Sequence, residues 1–252
     1  TRERSDVKKF LFWPYQIYVW LILIPLAVLL TILFSTLTIV FSYLVSPHFA
    51  SRVFAVTWAK CLAWLTPVLV EAQGENHAQK DRSYVVVCNH QSMYDILVLY
   101  GWLRLDMKWV MKAELRKVPF IGIGCEKAGH IFVNRRSHRQ AAEAINAALE
   151  RLGDGIGILF FPEGTRSDDG QLLPFKKGAF HTAIEQQIPL LPVTVVDTRE
   201  IVPNKTLKVY PGRVQMMIHP PIETAGLSHD DLPEVMERAR VAIGSALPPG
   251  GD

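Results

Sequence analysis

A long segment without charged side chains constrains this sequence more than any other feature. Between Lys9 and Arg52 the chain carries no Lys, Arg, Asp or Glu, and residues 15 to 45 are almost wholly apolar or hydroxyl-bearing. About 20 apolar residues cross the hydrocarbon core of a bilayer, so this segment is long enough to insert. A secretory signal peptide does not fit, because the apolar part is too long and no small-residue cleavage site closes it. We therefore expect an N-terminal membrane-embedded segment.

Basic residues on both sides of the apolar segment bear on how it inserts. They are Arg2, Arg4, Lys8, Lys9, Arg52 and Lys60. One full crossing would place one of these clusters on the non-cytoplasmic side, against the positive-inside tendency. We therefore expect a helical hairpin dipping into one leaflet of the inner (cytoplasmic) membrane, with the rest of the chain facing the cytoplasm. A single full span is the alternative, and residues 54 to 70 form the return arm or an interfacial helix.

The composition changes to that of a soluble domain at Glu71. Residues 71 to 83 are polar and typical of a connection, so we divide the chain into a membrane-anchoring helical segment, 1–70, and a domain, 71–252. The net charge of +3 suits a phosphate-bearing partner or an anionic membrane surface. No basic arm or recognition helix predicts binding to nucleic acid. The three cysteines lack metal-ligand spacing, so no metal site is expected.

Short apolar runs alternate with helical patterns through the second part of the chain. The predicted strands are residues 84–88, 108–111, 130–133, 155–161, 190–196, 207–210 and 213–219. The predicted helices are residues 93–103, 138–152, 178–187 and a last helix from a capping box at 228–231 to about 247. The alternation predicts an α/β fold, a mixed, mostly parallel sheet flanked by helices and preceded by the N-terminal membrane-embedded helical hairpin.

A histidine and an aspartate follow the first predicted strand of this domain, five residues apart. In Asn-His-Gln-Ser-Met-Tyr-Asp (89–95), His90 comes directly after a buried strand, where ligands usually lie in an α/β sheet. Such a histidine can accept a proton from an alcohol, and Asp95 can fix its tautomer. The alternative is a strand-to-helix turn in which Asp95 or Ser92 only caps the helix.

The turn Phe-Pro-Glu-Gly-Thr-Arg (161–166) also follows a buried strand and carries groups suited to a phosphate. Gly164 permits close approach of the backbone, Thr165 offers a hydroxyl, and Arg166 can bind a phosphate through two hydrogen bonds. The alternative is an ordinary polar turn with Arg166 on the surface.

Three further segments are weaker signals on their own. His-Ile-Phe-Val-Asn-Arg-Arg (130–136) is a short strand that ends in two arginines, and Lys112 lies in Met-Lys-Ala-Glu-Leu. These cations can face a phosphate, although a solvated position is the safer interpretation. Ile-Pro-Leu-Leu-Pro-Val (188–193) has no chemistry of its own and predicts a strand with prolines at its margin.

Taken in order, these segments resemble the motifs of the PlsC-type glycerolipid acyltransferase family, the family of 1-acyl-sn-glycerol-3-phosphate acyltransferases. Its first motif, His, four residues and Asp, corresponds to residues 90–95, and its Phe-Pro-Glu-Gly with Thr-Arg to residues 161–166. The motif of an aromatic, an aliphatic and an Arg corresponds to residues 132–135, and the apolar residue before Pro to 188–189. One departure is Asn134, where the family often has an acidic residue. Because a second arginine follows, we prefer Arg135 as the phosphate ligand.

The resemblance implies an enzyme, a 1-acylglycerol-3-phosphate O-acyltransferase that makes phosphatidic acid from lysophosphatidic acid in phospholipid biosynthesis. His90 would act as general base on the free sn-2 hydroxyl, and Asp95 would orient it. The oxygen would attack the thioester of acyl-CoA or acyl-carrier protein without an acyl-enzyme, and no metal or redox cofactor is implied. The substrate-binding residues that we expect are Arg135, Glu163, Gly164, Thr165, Arg166 and Lys112. The expected partners are the lipid bilayer, lysophosphatidic acid and the acyl donor.

Other functions remain open at this point. A lyso-ornithine lipid, another lysophospholipid or glycerol 3-phosphate could replace lysophosphatidic acid as acceptor. A hydrolase would use Ser92 as nucleophile, but Ser92 is only two residues from His90 and no Gly-x-Ser-x-Gly elbow is present. A membrane-anchored lipid-binding protein without catalysis would leave the His-Asp pair without a role.

Overall fold

The described part of the chain is built around one mixed sheet. The computed structural model describes residues 12–134, 138–152 and 155–248. The strands are β1 (Val68–Gln73), β2 (Tyr84–Cys88), β3 (Asp106–Lys112), β4 (Ile131–Val133), β5 (Ile156–Phe160), β6 (Leu190–Val196) and β7 (Gly212–Ile218). They lie in the order β1-β7-β6-β2-β5-β3-β4. Strands β2 to β6 run parallel, β7 is antiparallel to β6, and β1 is parallel to β7. The predicted fold class, a mixed and mostly parallel sheet, is confirmed.

Helices cover both faces of the sheet. They are α1 (Phe12–Leu44), α2 (Pro47–Ala50), α3 (Val56–Leu65), α4 (Asp95–Trp102), α5 (Ile121–Lys127), α6 (His138–Leu152), α7 (Gly178–Glu185), α8 (Thr198–Ile201) and α9 (Leu232–Ser245). Every residue of β2 is buried, and alternate side chains enter opposite cores because successive residues of a strand point to opposite faces. Val86 packs with α3 and α4, whereas Val85 packs with α7 and α9.

The N-terminal apolar segment forms the helical hairpin that the sequence predicts. Helix α1 is long and apolar enough to cross a membrane, with a mean hydropathy of 2.7 in its most apolar window, and only 11% of that window is buried. Helix α3 returns alongside it, so that the Tyr18 hydroxyl donates to the Leu65 carbonyl oxygen at 2.8 Å and the Trp58 indole donates to the Thr31 hydroxyl at 3.0 Å. The outer side of α1 therefore presents apolar side chains that none of the described residues covers.

Two predictions near the edge strand β1 are wrong. The segment predicted as a polar connection from residue 71 begins inside the sheet, because β1 extends to Gln73, and the division at residue 70 falls within this strand. Glu71 is exposed beside Arg213 of β7, at 3.7 Å between their charged groups, so its polarity is that of the outer face of an edge strand. Residues 207–210 are not a strand but lead directly into β7.

Candidate active site

The carboxyl end of β2 brings a histidine and a carboxylate into direct contact. The chain leaves the buried strand at Cys88, and the turn before α4 returns Asp95 beneath His90. The Nδ1 atom of His90 donates to Oδ2 of Asp95 at 2.7 Å. The side chain of His90 is 17% exposed, whereas that of Asp95 is fully buried. Because Nδ1 faces the carboxylate, Nε2 is the nitrogen left to meet a substrate.

The Asp95 carboxylate is held by more donors than His90 alone. Its Oδ2 atom also accepts hydrogen bonds from the backbone nitrogens of Gln91, at 2.8 Å, and Ser92, at 3.0 Å. Its Oδ1 atom accepts from the hydroxyl of Thr198, at the start of α8. Asp95 thus shapes the turn, as the capping interpretation expects, and fixes the histidine tautomer with the same carboxylate.

The His90 ring is also fixed by stacking. It lies face to face with the ring of Phe161, with centroids 3.8 Å apart and planes 13° from parallel. Phe161 in turn contacts Trp109 of β3, at 5.9 Å between ring centroids. Phe161, the first residue of the turn at 161–166, therefore supports the imidazole. The His90 ring cannot rotate away from Asp95 without losing this stacking contact.

Glu163 connects the two turns of the site and is not displayed toward solvent. It is 4% exposed, and its Oε1 atom accepts a hydrogen bond from the backbone nitrogen of His90 at 2.7 Å. Its Oε2 atom accepts from the backbone nitrogen of Leu173 at 2.9 Å. Burial raises the pKa of this carboxyl, and the two backbone donors oppose that effect. The geometry gives Glu163 a supporting role under His90 rather than the predicted contact with a substrate.

The expected phosphate-binding groups lie at the same edge of the sheet. Gly164 has a φ of +73°, and a Cβ at this position would overlap the ammonium group of Lys176, which lies against the turn. Thr165 and Arg166 are exposed. Lys112 ends β3 and pairs with Glu114 at 3.4 Å. The turn at 161–166 is therefore open to a ligand. Lys176, which lies outside the motif, adjoins this turn.

The other predicted phosphate ligand, Arg135, lies outside the described residues. Strand β4 ends at Val133, which is in register with Lys112 of β3. The described part of the motif at 132–135 therefore ends at the edge of the sheet that carries His90.

Ser92 is a structural residue in this turn. It is fully buried, its hydroxyl donates to the Val202 carbonyl oxygen at 2.8 Å, and the same oxygen accepts from the backbone nitrogen of Tyr94 at 3.1 Å. A buried hydroxyl already committed to two backbone groups is poorly placed to attack a substrate. The geometry therefore argues against the hydrolase that the sequence left open.

Two residues that no sequence pattern marked connect the turn after β2 to the rest of the protein. The Thr198 hydroxyl reaches Asp95, as described above. The Asn204 amide donates to the carbonyl oxygens of Gln91, at 3.0 Å, and Ser167, at 2.9 Å, so it joins the turn after β2 to the turn after β5. Both lie in the segment after β6, where no motif or composition signal marks them.

Comparison with known proteins places this geometry in a family. The family model described as Acyltransferase matches residues 69–196, which include the His90–Asp95 pair and the turn at 161–166. The chain belongs to the acyltransferase family. The matched region ends before Thr198 and Asn204, so part of the support for Asp95 lies outside it.

Several acyltransferases of known name are similar to this chain. The 1-acyl-sn-glycerol-3-phosphate acyltransferase alpha of Ovis aries is 34% identical over 180 residues, 71% of this chain and 63% of the relative. The 1-acyl-sn-glycerol-3-phosphate acyltransferase of Saccharomyces cerevisiae is 33% identical over 196 residues, 77% of this chain and 64% of the relative. The chain thus spans slightly less than two thirds of the length of these relatives.

A solved structure has the same fold. The crystal structure of the 1-acyl-sn-glycerophosphate (LPA) acyltransferase PlsC from Thermotoga maritima superposes with a TM-score of 0.62 at 27% sequence identity. The match covers 90% of this chain and all of the other. It therefore extends well beyond the region of the family model and into the N-terminal segment of this acyltransferase.

Proposed function

We propose that this acyltransferase transfers an acyl chain from a thioester donor to the sn-2 hydroxyl of lysophosphatidic acid, giving phosphatidic acid. The observation that carries the proposal is the His90–Asp95 pair, with Nε2 of His90 turned away from the carboxylate beside an open, basic turn. The names of the similar proteins, which specify the same acceptor, support the choice of lysophosphatidic acid.

The proposed reaction is a direct transfer. Nε2 of His90 removes the proton of the acceptor hydroxyl as the oxygen attacks the thioester carbonyl carbon. The Asp95 carboxylate stabilises the imidazolium that forms. The tetrahedral intermediate collapses with cleavage of the carbon–sulfur bond, and the leaving thiolate takes the proton from His90. This series of steps returns His90 to its neutral form and needs neither a metal nor a redox cofactor.

The acceptor phosphate is assigned to the basic groups at this edge of the sheet. Arg166 is exposed on the turn after β5, Lys112 is exposed at the end of β3, and Arg135 follows β4 in the sequence. Because a guanidinium offers paired donors to a phosphate, we assign the main contact to Arg166 and Arg135. Lys176, beside Gly164, supplies a further positive charge.

A lipid acceptor also fits the apolar surface around the site. Met93 lies in the turn between His90 and Asp95 and is 59% exposed, so this turn presents an apolar side chain to its surroundings. Helix α1 exposes a larger apolar surface. We propose that the hairpin lies in one leaflet of the inner membrane with the catalytic domain on the cytoplasmic side. There acyl-CoA or acyl-carrier protein delivers the acyl chain.

An acceptor panel tests this function with the full-length protein in mixed detergent–lipid micelles. Thiol release from acyl-CoA, and separately from acyl-carrier protein, is measured with lysophosphatidic acid, a lyso-ornithine lipid, lysophosphatidylcholine or glycerol 3-phosphate. We expect release that depends on lysophosphatidic acid, formation of phosphatidic acid by mass spectrometry, and loss of both in His90→Ala. Faster turnover with another acceptor would overturn the choice of acceptor, and full turnover in His90→Ala would overturn the mechanism.

A further inference from the structure

A group of three potential metal ligands lies outside the residues around His90. His181 and Glu185 are four residues apart on α7, and His229 opens the short 3-10 helical turn before α9. One ligand atom from each side chain can be chosen so that all three lie within 4.8 Å of one another. Residues four apart share one face of a helix, so α7 directs two of the ligands to the same side. We call this group the His-Glu-His cluster.

The backbone on both sides of the cluster is firmly held. Helix α7 buries Phe180 and Ile184 in the core that it shares with α9. The turn that carries His229 is fixed by a capping box, in which the Ser228 hydroxyl oxygen accepts from the backbone of the turn and the backbone nitrogen of Ser228 donates to the Asp231 carboxylate at 2.8 Å. Only side-chain rotations are therefore needed to adjust the three ligands, and the cost of organising the site is small.

The distance between the two imidazoles is that of ligands on one metal ion. Nδ1 of His181 and Nδ1 of His229 share a hydrogen bond at 3.2 Å, which a bound ion would replace. A tetrahedral Zn²⁺ with nitrogens at about 2.0–2.1 Å separates two such ligands by about 3.3 Å. The Glu185 carboxylate oxygen lies 3.7 Å from Nε2 of His229. Rotation of the long Glu185 side chain moves this oxygen away from Nε2 of His229 and toward the two Nδ1 atoms, where it becomes the third ligand of the ion.

We propose that the His-Glu-His cluster binds one divalent transition-metal ion such as Zn²⁺. Two imidazoles and a carboxylate suit Zn²⁺, Ni²⁺ and Cu²⁺, whereas Mg²⁺ and Ca²⁺ prefer ligand sets made of oxygen. The side chains of His229 and Glu185 are 60% and 40% exposed, so the ion reaches the site from solvent and keeps water as its fourth ligand. Because the ligands come from α7 and from the turn before α9, the ion links these two elements.

The test is a calorimetric titration of the full-length protein with ZnCl₂ in detergent micelles, after treatment with a chelator. We expect one equivalent of Zn²⁺ to bind, and His229→Gln to weaken the affinity at least tenfold. The double variant H181Q/H229Q should lose this binding. Co²⁺ should give the visible absorption of a tetrahedral ion in the wild type and not in the double variant.

A matched control separates the cluster from general surface charge. Glu237→Gln removes an exposed carboxylate from α9 without touching the cluster, and its affinity for Zn²⁺ should stay within twofold of the wild type. Thiol release dependent on lysophosphatidic acid should persist in all of these variants, because none alters a residue that contacts His90 or Asp95. Two results would overturn the proposal: no saturable binding to the wild type, or equal affinity in H181Q/H229Q.

Discussion

The Glu163 carboxylate lies under His90 and accepts a hydrogen bond from its backbone nitrogen at 2.7 Å. The Asp95 carboxylate holds the ring of the same histidine through Nδ1. The main chain and the side chain of His90 are thus positioned by two different buried carboxylates. Since the backbone nitrogen of Leu173 donates to the second oxygen of Glu163, the segment beyond the turn at 161–166 is fixed to the same carboxylate.

Glu163→Gln should therefore lower kcat more than it raises KM for the lipid acceptor. Glutamine has one acceptor oxygen, so its amide NH₂ group would face the backbone N–H of His90 or Leu173. Losing a buried hydrogen bond to a charged group costs about 1.5–3 kcal/mol, which should also lower the thermal midpoint. Steady-state kinetics with varied lysophosphatidic acid measure the two parameters. A variant with unchanged kcat and a raised KM would instead indicate a direct contact with the substrate.

Asp95→Asn should reduce kcat by more than about tenfold, because a neutral amide no longer stabilises the imidazolium that forms when Nε2 accepts the proton. The variant keeps the size of the side chain, so a correctly folded protein is expected. Single-turnover measurements with acyl-CoA would report the chemical step directly. Retention of more than a tenth of the wild-type rate would contradict the assigned role.

Asn204→Ala should slow the reaction although Asn204 does not touch the catalytic pair. The substitution leaves the carbonyl oxygens of Gln91 and Ser167 without their shared donor. It thereby removes the link between the turn after β2 and the turn after β5. Each unsatisfied buried group costs about 1–3 kcal/mol. The measurements are kcat and the thermal midpoint, with Asn146→Ala on α6 as the control. If the midpoint falls while kcat stays constant, Asn204 supports stability alone.

Gly164→Ala should raise KM for lysophosphatidic acid with a smaller effect on kcat. The new methyl group displaces the Lys176 ammonium from the turn and adds the strain of a positive φ, about 1 kcal/mol. Gly226→Ala is the matched control, since Gly226 has a φ of +80° and no atom within 4 Å of an added Cβ. Equal KM values for the two variants would contradict the assignment of Lys176 to the acceptor phosphate.

The stability of the protein should fall on acidification, in part through His130. Burial lowers the pKa of His130 to about 3, and the nearby Lys108 ammonium adds to this effect. In the unfolded chain this histidine has a pKa near 6.5, so the unfolded state binds more protons between these values and stability is lost as the pH falls through about 6.5. The contribution lost at a pH of about 5.5 is about 1.4 kcal/mol.

Chemical unfolding in detergent, at a pH of about 7.5 and of about 5.5, measures this loss. His130→Gln removes the titrating group, so the variant should show a smaller decrease between the two conditions than the wild type. Identical decreases would assign the acid sensitivity to other groups.

Local patterns in the sequence predicted the interior of the fold well. The bounds of β2 and β6 are those of the predicted strands 84–88 and 190–196, because a strand buried on both faces is a continuous apolar run. Helix α6 likewise has its predicted bounds, 138–152, because its apolar positions follow the helical period. Strand β1 was missed because it is an edge strand whose outer face is polar.

The supports of the catalytic residues could not be predicted in the same way. Thr198 bonds to Asp95 across 103 positions of the sequence, and Asn204 bonds to Gln91 across 113. Such contacts depend on where β6 lies in the sheet, next to β2, and not on any local pattern. The sequence therefore indicated which side chains meet at this edge of the sheet but not what holds them in place.

The N-terminal hairpin and the sheet share part of one hydrophobic core, so the chain has no clean domain boundary between them. Ala59 and Ala63 of α3 are fully buried in the main core, and β1 follows α3 almost at once to pair with β7. A chain trimmed at residue 70 would lose half of β1 and expose that core to water. The N-terminal hairpin is thus not separable from the domain, and a more soluble form of this protein calls for redesign of the outer surface of α1 rather than truncation.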